Sequence, residues 1–160
     1  MTNPQGQNQY SYYRNDLLKA IDYASGAEAA YTYDAADRIK SITNRHNNAV
    51  VSSYGYDYDR NGNRTLQTEE NGFGFETTTY AYDASDRLTR VTYPDREEAY
   101  THDGARNGVT ETATRVADGT LLSDKTLTYN ARHQLTRIDD SVAAANDATY
   151  EYDANGNQIE

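Results

Sequence analysis

The stretch Tyr-Thr-Tyr-Asp-Ala-Ala-Asp-Arg-Ile at residues 31–39 decides the fold, because it recurs along the whole chain. Close versions are Tyr-Ala-Tyr-Asp-Ala-Ser-Asp-Arg-Leu at 80–88 and Tyr-Asp-Tyr-Asp-Arg-Asn-Gly-Asn-Arg at 56–64. The shared unit is Tyr-x-Tyr-Asp-x-x-(Gly/Asp)-(Arg/Asn)-(Leu/Ile), and its seven copies start at residues 10, 31, 56, 80, 100, 127 and 150. Copies spaced by about 23 residues indicate a repeat architecture.

Each copy predicts a strand, a turn and a second strand. The two tyrosines alternate with another residue, which puts both rings on one face of a strand. Asp34 begins the turn, because aspartate accepts hydrogen bonds from backbone amides two residues on. Gly62, or Asp37 in the same position, is expected to supply the left-handed residue that closes the turn. The run Arg-Ile-Lys-Ser-Ile at 38–42 then predicts the return strand.

Two stretches between the repeats need a separate interpretation. Residues 109–116 and 121–129 alternate like strands around an Asp-Gly turn at 118–119, which predicts an additional hairpin. Residues 16–30 are the nearest candidate for a helix, but they align with the return strands of other copies and are predicted as strand. The sequence therefore predicts an all-β chain: a flexible tail at 1–9, then seven repeats at 10–160 in one curved antiparallel ribbon of β-hairpins.

We expect the recurring side chains to define the repeats structurally, with no catalytic residue among them. In this pattern the Asp–Arg pairs are expected to stabilise the turn or to join neighbouring hairpins. The predicted structural residues are Tyr10, Tyr12, Tyr31, Tyr33, Asp34, Arg38, Tyr56, Tyr58, Asp59, Gly62, Tyr80, Tyr82, Asp83, Arg87, Tyr100, Asp103, Tyr129, Tyr150, Tyr152, Asp153 and Gly156.

The composition limits both the core and the possible partners. Leu, Ile, Val and Phe together number only 21 of 160 residues and the net charge is −10, a balance typical of disorder. Sixteen tyrosines at repeated positions counter that tendency, because stacked aromatic pairs stabilise a sheet. The acidic charge disfavours nucleic-acid binding. The absence of cysteine excludes disulfides and thiolate zinc sites, and no apolar run is long enough to span a bilayer.

Several motifs resemble sites of chemistry, and each has a simpler explanation. Residues 57–62 match the first half of a calcium loop, but Thr68 stands where the loop needs a bidentate glutamate. The adjacent acids at 69–70, 97–98 and 139–140 are expected in solvated loops rather than in a glycosidase site. His46, His102 and His133 form no catalytic or metal-binding pattern, and Asn63 begins a glycosylation sequon inside a turn. We therefore predict no metal and no cofactor.

The unit resembles the YD repeat of the RHS family, which includes bacterial Rhs polymorphic toxins, insecticidal toxin-complex B and C components, and teneurins. Residues 31–39, 56–64 and 80–88 carry the resemblance, which extends over about residues 10–160. It implies a long ribbon of hairpins that spirals into a hollow shell around a toxic polypeptide. The family's core-ending motif with Asp-Pro is absent, since Pro4 and Pro94 are the only prolines. Self-cleavage is therefore not carried over, and we interpret the chain as a partial array.

The expected function is a non-catalytic structural segment of such a shell, which encapsulates or presents a toxin or effector polypeptide. The alternative is a module that binds a carbohydrate or a protein through a tyrosine-rich β-face. The expected partners are further repeats of a larger shell or a second chain at the open strand edges, and a toxin cargo or carbohydrate, but no nucleic acid or membrane. The resemblance implies a location outside the cell or on its surface, although the segment itself has no signal peptide.

Overall fold

The computed structural model describes residues 6–159, and within them it contains thirteen β-strands and one 3₁₀ helix, Ala144–Asn146. The strands are β1 (Gln9–Tyr12), β2 (Leu18–Asp22), β3 (Ala27–Tyr33), β4 (Ile39–His46), β5 (Ala49–Tyr58), β6 (Arg64–Asn71), β7 (Gly74–Tyr82), β8 (Leu88–Thr92), β9 (Arg96–His102), β10 (Gly108–Arg115), β11 (Leu121–Tyr129), β12 (Leu135–Asp140) and β13 (Ala148–Thr149).

The strands hydrogen-bond in chain order, from β1 to β13, and form antiparallel hairpins. The prediction of an all-β array of repeated hairpins is therefore confirmed. The chain divides into two compact units, Met1–Thr79 and Tyr80–Glu160, and β7 runs through the boundary.

In the first unit, cross-strand partners sort the side chains by face. Tyr31 lies opposite Ile42, and Ile42 lies opposite Tyr54 on the next strand, which makes one face aromatic and aliphatic. Thr32 and Ser41 are paired on the other face, and their hydroxyls are 2.6 Å apart. The separation follows directly from the period-2 alternation of the repeat.

In the second unit, Leu127 lies opposite Ile138 in the same way. Buried apolar side chains are few among residues 6–159: Ala29 in the first unit is 5% exposed and Val91 in the second is 3% exposed. A single-layer array has little interior, so its stability depends on ladder hydrogen bonds and on contacts between neighbouring repeats.

A register shift recurs at the second tyrosine of four repeats, where the turn of the hairpin begins. The pairing shifts next to the second tyrosine of the repeat at Tyr12, Tyr33, Tyr58 and Tyr129. An extra residue at this point bends the strand and increases its twist. The repeat therefore encodes a bulge as well as a turn, which the alternation of residue types does not show.

The stretches that needed interpretation are strands. Residues 16–30 contain β2 and the first part of β3, and the predicted additional hairpin is β10 paired with β11. The acidic pairs at 69–70, 97–98 and 139–140 were predicted in loops, which is wrong, because they lie in β6, β9 and β12. Of the predicted tail, residues 1–5 lie outside the described residues, and β1 begins at Gln9.

Candidate functional site

The seven repeat turns share one backbone geometry. In residues 34–39, the amide of Asp34 donates to the carbonyl of Arg38 at 2.9 Å, and the amide of Asp37 donates to the carbonyl of Asp34 at 3.1 Å. The same two bonds occur in every copy, at residues 13–18, 34–39, 59–64, 83–88, 103–108, 130–135 and 153–158. We call these segments the repeat turns, and name their positions after the aspartate, glycine, arginine and leucine of the shared unit.

The glycine position of each repeat turn is left-handed. Gly62 has φ of +95° and Gly156 has φ of +89°, which glycine adopts at little cost. The other copies place a side chain there, and aspartate tolerates this region better than most residues. Their φ values are +62° at Asp16, +60° at Asp37, +60° at Asp86, +73° at Arg106 and +60° at His133.

The aspartate of the repeat turn collects the free backbone donors. Oδ1 of Asp34 accepts from the amides of Ala36 at 2.9 Å and Arg38 at 3.0 Å, while Oδ2 accepts from Nε of Arg38 at 2.7 Å. The carboxylate of Asp83 has equivalent bonds at 2.8, 3.0 and 2.6 Å. One carboxylate therefore satisfies three donors inside a six-residue turn. We call this arrangement the carboxylate lock.

The hydrogen bonds of the carboxylate lock stabilise the ionised form of its aspartate. The Arg38 side chain and then its amide hold the pKa of Asp34 below its ordinary value. At Asp83 the amide of Arg87 is the leading contribution, and the pKa is lowered to about 2. These acids remain anionic at neutral pH with their oxygens already bonded, which suits a structural role and does not suit general acid catalysis.

The residue at the arginine position varies, but its side chain still hydrogen-bonds to the side chain at the aspartate position. Asn63, Asn107 and Asn157 each donate Nδ2 to the aspartate of their own turn, at 3.0, 2.8 and 2.8 Å. In residues 130–135 both partners differ and the bond reverses, since Nδ2 of Asn130 donates to Oε1 of Gln134 at 2.8 Å. Arginine, asparagine and glutamine therefore form the same local contact by different chemistry.

In three copies the second tyrosine joins its repeat to the one before it. The Tyr33 hydroxyl donates to the carbonyl of Leu18 at 2.9 Å, a residue at the leucine position of the preceding repeat turn. The equivalent bonds run from Tyr58 to Ile39 and from Tyr152 to Leu135, both at 2.8 Å. Sequence reasoning missed this contact, because the two residues are 15 to 19 positions apart in different copies and the acceptor is a backbone carbonyl.

Where it is occupied by arginine, the arginine position also joins its repeat to the one after it. Nη1 of Arg38 donates to the carbonyl of Asp59 at 3.0 Å, and its guanidinium lies 4.5 Å from the centroid of the Tyr58 ring. In the second unit, Nη1 of Arg87 donates to the carbonyl of Asp103 at 2.9 Å. The repeated arginine therefore bonds both within its own hairpin and to the next one.

The remaining predicted structural tyrosines lie on strands, except Tyr150. Tyr10 and Tyr12 on β1 are exposed, at 56% and 58%. Burial raises the pKa of the Tyr56 and Tyr129 hydroxyls. Tyr80 and Tyr82 lie on β7 and are half-buried, and Tyr150 directly follows β13, where its amide donates to the carbonyl of Thr136 at 2.9 Å.

The motif at residues 57–62 that resembles a calcium loop overlaps the repeat turn at residues 59–64. Both oxygens of Asp59 accept bonds from its own turn, and Asp57 pairs instead with Lys40 at 2.9 Å. Among residues 6–159, no three histidine or acidic side chains are grouped to hold a metal ion. The amide of Asn63, the residue of the sequon, is likewise bonded to Asp59.

A buried carboxylate outside the repeat pattern was also missed. Asp140 is only 4% exposed, and it accepts from Ser123 Oγ at 2.8 Å, Asn146 Nδ2 at 2.8 Å and the amide of Val142 at 3.0 Å. The Asn146 side chain makes the largest contribution to a strongly lowered pKa. Asp140 thereby fixes the loop that follows β12, and it was predicted as a solvated loop residue.

The second unit also holds a small polar cleft of about 170 Å³, lined by Glu98, Tyr100, Glu111 and Lys125. Tyr100 donates its hydroxyl to Glu98 at 2.7 Å, and Arg96 donates Nε to the same carboxylate at 2.8 Å. Burial, and then the bond to Glu98, raises the pKa of Tyr100. The cleft is smaller than typical small-molecule sites, and its polar groups are bonded to one another.

Comparison with known proteins gives a consistent result. The family model "RHS Repeat" matches residues 12–49 and 76–98. Thirty-nine chains of solved structures are similar. One is the crystal structure of TcdB2-TccC3 without its hypervariable C-terminal region, at 17% identity and a TM-score of 0.70 over 94% of this chain. Another, of TcdB2-TccC3, has 13% identity and a TM-score of 0.41 over 96% of this chain.

This chain spans only 9% and 11% of those two structures, so the likeness describes the fold of a segment. A search of curated proteins finds no match. In the described part of the chain, no helix has the length and apolarity needed to cross a membrane.

Proposed function

We propose that this chain belongs to the RHS/YD-repeat family and is a non-catalytic structural segment of a β-shell that encapsulates or presents a toxin or effector polypeptide. The observation that carries the proposal is the two-way bonding between successive repeats. Tyr58 bonds back to Ile39, while Arg38 bonds forward to Asp59. Each repeat therefore serves as a template for the next, which is how an extended wall is built.

The hydrogen bonding of the recurring aspartates supports a structural role. The repeat aspartates use their oxygens within their own turns, as Asp34 and Asp153 do, and so present no free carboxylate pair to a substrate. The proposed partners are further repeats of a larger shell, and an enclosed polypeptide. We also propose that the shell belongs to a secreted or cell-surface bacterial polymorphic toxin.

A carbohydrate- or protein-binding module is the second candidate, and one observation favours it. Tyr10 and Tyr12 expose more than half of their surface, and exposed tyrosines supply large contact areas at low entropic cost. A glycan array separates the two functions. Selective binding that is lost in a Tyr10→Ala variant supports the module. A uniformly blank array together with no co-purifying protein removes it.

The shell function is tested on the protein from source cells with an antibody raised against residues 6–159. The immunoblot should show a protein far larger than this 18.0 kDa chain. Limited proteolysis of the immunoprecipitate should leave one enclosed polypeptide intact until the shell is denatured. A polypeptide degraded equally fast in native and denatured samples, or a band near 18 kDa, would overturn the proposal.

A further inference from the structure

We propose that Asn71 is a site of covalent self-modification, in which its side-chain amide is converted to isoaspartate or aspartate through a cyclic imide formed with the backbone amide of Gly72. An asparagine followed by glycine can react in this way, because glycine has no β-carbon to obstruct its own amide nitrogen. Four Asn-Gly pairs occur in the sequence, and they begin at residues 61, 71, 107 and 155. The structure distinguishes the second pair from the other three.

The second pair lies in the short connection between β6 and β7, residues 71–74, which we call the β6–β7 tip. Asn71 at the end of β6 pairs with Gly74 at the start of β7. The two residues between them form a loop, in which the Phe73 side chain is fully exposed. In the described part of the chain, the amide of Gly72 donates no hydrogen bond. The attacking nitrogen is therefore accessible to solvent and not engaged elsewhere.

The Asn71 side chain is already held beside this nitrogen by two hydrogen bonds. Its Oδ1 accepts from the amide of Phe73 at 2.8 Å, which closes a turn around Gly72. Its Nδ2 donates to Oε1 of Glu69 at 2.8 Å. When the nitrogen attacks, negative charge develops on Oδ1, and a donor that is already in place at that oxygen stabilises it.

The reaction needs only water and hydroxide. Hydroxide removes the amide proton of Gly72, and the nitrogen attacks Cγ of Asn71. A bond forms between that nitrogen and Cγ, the bond between Cγ and Nδ2 breaks, and ammonia leaves with a proton taken from water. Water then opens the five-membered imide at either carbonyl, which yields isoaspartate or aspartate. Because both reacting groups belong to adjacent residues, the attack is intramolecular.

Two of the other pairs have a bonded nucleophile. They lie in repeat turns, where the amide of Gly62 donates to the carbonyl of Asp59 at 3.3 Å and the amide of Gly156 donates to the carbonyl of Asp153 at 3.0 Å. Both glycines are also left-handed, with φ of +95° and +89°. Cyclisation at these positions would require the turn to open and its hydrogen bonds to break.

The pair at residues 107–108 is held through its asparagine. Nδ2 of Asn107 donates to Oδ2 of Asp103 at 2.8 Å, and it also lies 3.1 Å from Nδ1 of His133 in the next repeat turn. Reaction here would break the contacts of a repeat turn and of its neighbour. The β6–β7 tip can open without disturbing any repeat turn, so its opening should cost less free energy.

The modification would change the β6–β7 tip. Either product replaces the Nδ2 donor with a carboxylate, which cannot donate to Glu69 and repels it. Isoaspartate also lengthens the main chain by one carbon atom, so the pairing of Asn71 with Gly74 would be lost. The expected result is a locally opened hairpin end in the first unit, with the repeat turns unchanged.

Peptide mapping by mass spectrometry tests the proposal on the folded chain after incubation in mildly alkaline buffer. Asn71 should be converted roughly tenfold faster or more than the asparagine of each of the other three pairs, because its tip opens more readily. In the urea-unfolded chain the four pairs should react at similar rates, because the fold no longer protects three of them. Equal rates in the folded chain, or faster reaction at another pair, would overturn the proposal.

Two matched variants test the chemistry. A β-carbon at Gly72 would meet no atom within 4 Å, and this glycine is not left-handed, so Gly72→Ala should fold normally by circular dichroism. It should nevertheless slow conversion of Asn71 roughly tenfold, because the β-carbon obstructs the nitrogen. Phe73→Ala removes an exposed ring and keeps the amide that donates to Oδ1, so its rate should match the native chain.

An unchanged rate in Gly72→Ala, or a rate in Phe73→Ala that falls as far as in Gly72→Ala, would contradict the assigned reaction. The inference goes beyond the proposed function. Its failure would leave the shell proposal standing, because the contacts of Asn71 with Glu69 and Phe73 lie outside the repeat turns.

Discussion

Residues 13–18 and 34–39 are repeat turns with the same backbone and different side chains. Both have the two turn hydrogen bonds, at 2.8 and 3.1 Å in the first and 2.9 and 3.1 Å in the second. The second has the carboxylate lock of Asp34, while the first has Tyr13 at the aspartate position. The backbone path therefore does not require the carboxylate, which acts to stabilise a turn that other residues can also form.

The first turn uses an aromatic contact in place of the lock. The Tyr13 hydroxyl donates to the carbonyl of Tyr31 at 2.9 Å, and its ring meets Tyr33 edge-on at a centroid distance of 6.0 Å. Asn15 donates to Asp37 of the second turn at 2.9 Å. Both turns are therefore attached to a neighbouring repeat, by a ring in one case and by an ionic network in the other.

The largest effect is expected when the carboxylate lock is removed. Asp34→Ala leaves the amides of Ala36 and Arg38 without their acceptor, and also leaves the Arg38 guanidinium without its anion. The melting temperature followed by circular dichroism should fall by roughly 3–8 °C. The matched control is Asp57→Ala, which loses only an exposed ion pair with Lys40 and should change little. Equal losses would mean that the lock contributes no more than a surface charge.

Lowering the pH should reversibly remove the stability that the carboxylate lock contributes. The pKa of Asp83 is lowered to about 2 in the folded chain, so its ionised form favours folding. That stability is present above the unfolded pKa of about 4 and is lost as the pH falls toward about 2. The difference in melting temperature between the native chain and Asp83→Asn should therefore narrow across this window. Two parallel curves from about pH 5 to pH 2 would contradict the assigned role.

The hydroxyl of the second tyrosine should stabilise the fold on β5, where it bonds to the preceding repeat, and not on β1, where it is exposed. Tyr58→Phe removes the hydroxyl that donates to Ile39 and should cost about 0.5–1.5 kcal/mol in the free energy of unfolding. Tyr12→Phe removes the equivalent hydroxyl on the exposed strand β1, so it should have almost no effect. Urea unfolding of both variants measures the difference. A similar loss in both would show that the bond between repeats is not the cause.

Much of this architecture follows from the sequence, because the repeat encodes strands, turn and left-handed residue within nine positions. Asp37 and Gly62 could be aligned by spacing alone, and both have positive φ. Contacts between repeats are harder to predict, because the acceptors are backbone carbonyls such as that of Leu18, which any residue type supplies. Asp140 was misplaced for a related reason, since its partners include backbone amides of a loop outside the repeat.

The smallest effect is expected from exchanging one type of turn for another. In residues 130–135, Gln134 accepts from Asn130 through Oε1 and donates Nε2 to the carbonyl of Gly156 at 3.3 Å. Asn130→Asp alone would force this amide to turn and donate to the new carboxylate, which sacrifices the bond to the next repeat. Adding Gln134→Arg should restore both contacts, because arginine at this position donates Nε to its own turn and Nη1 to the next.

The double variant should therefore melt within about 2 °C of the native chain, and the single variant Asn130→Asp should melt below both. A double-mutant cycle that includes Gln134→Arg alone measures the coupling between the two positions. Additive effects would mean that the two side chains act independently. Favourable coupling would mean that the aspartate and arginine positions act as one unit. Such a unit keeps both hydrogen bonds when the two residues change together and loses one of them when only one residue changes.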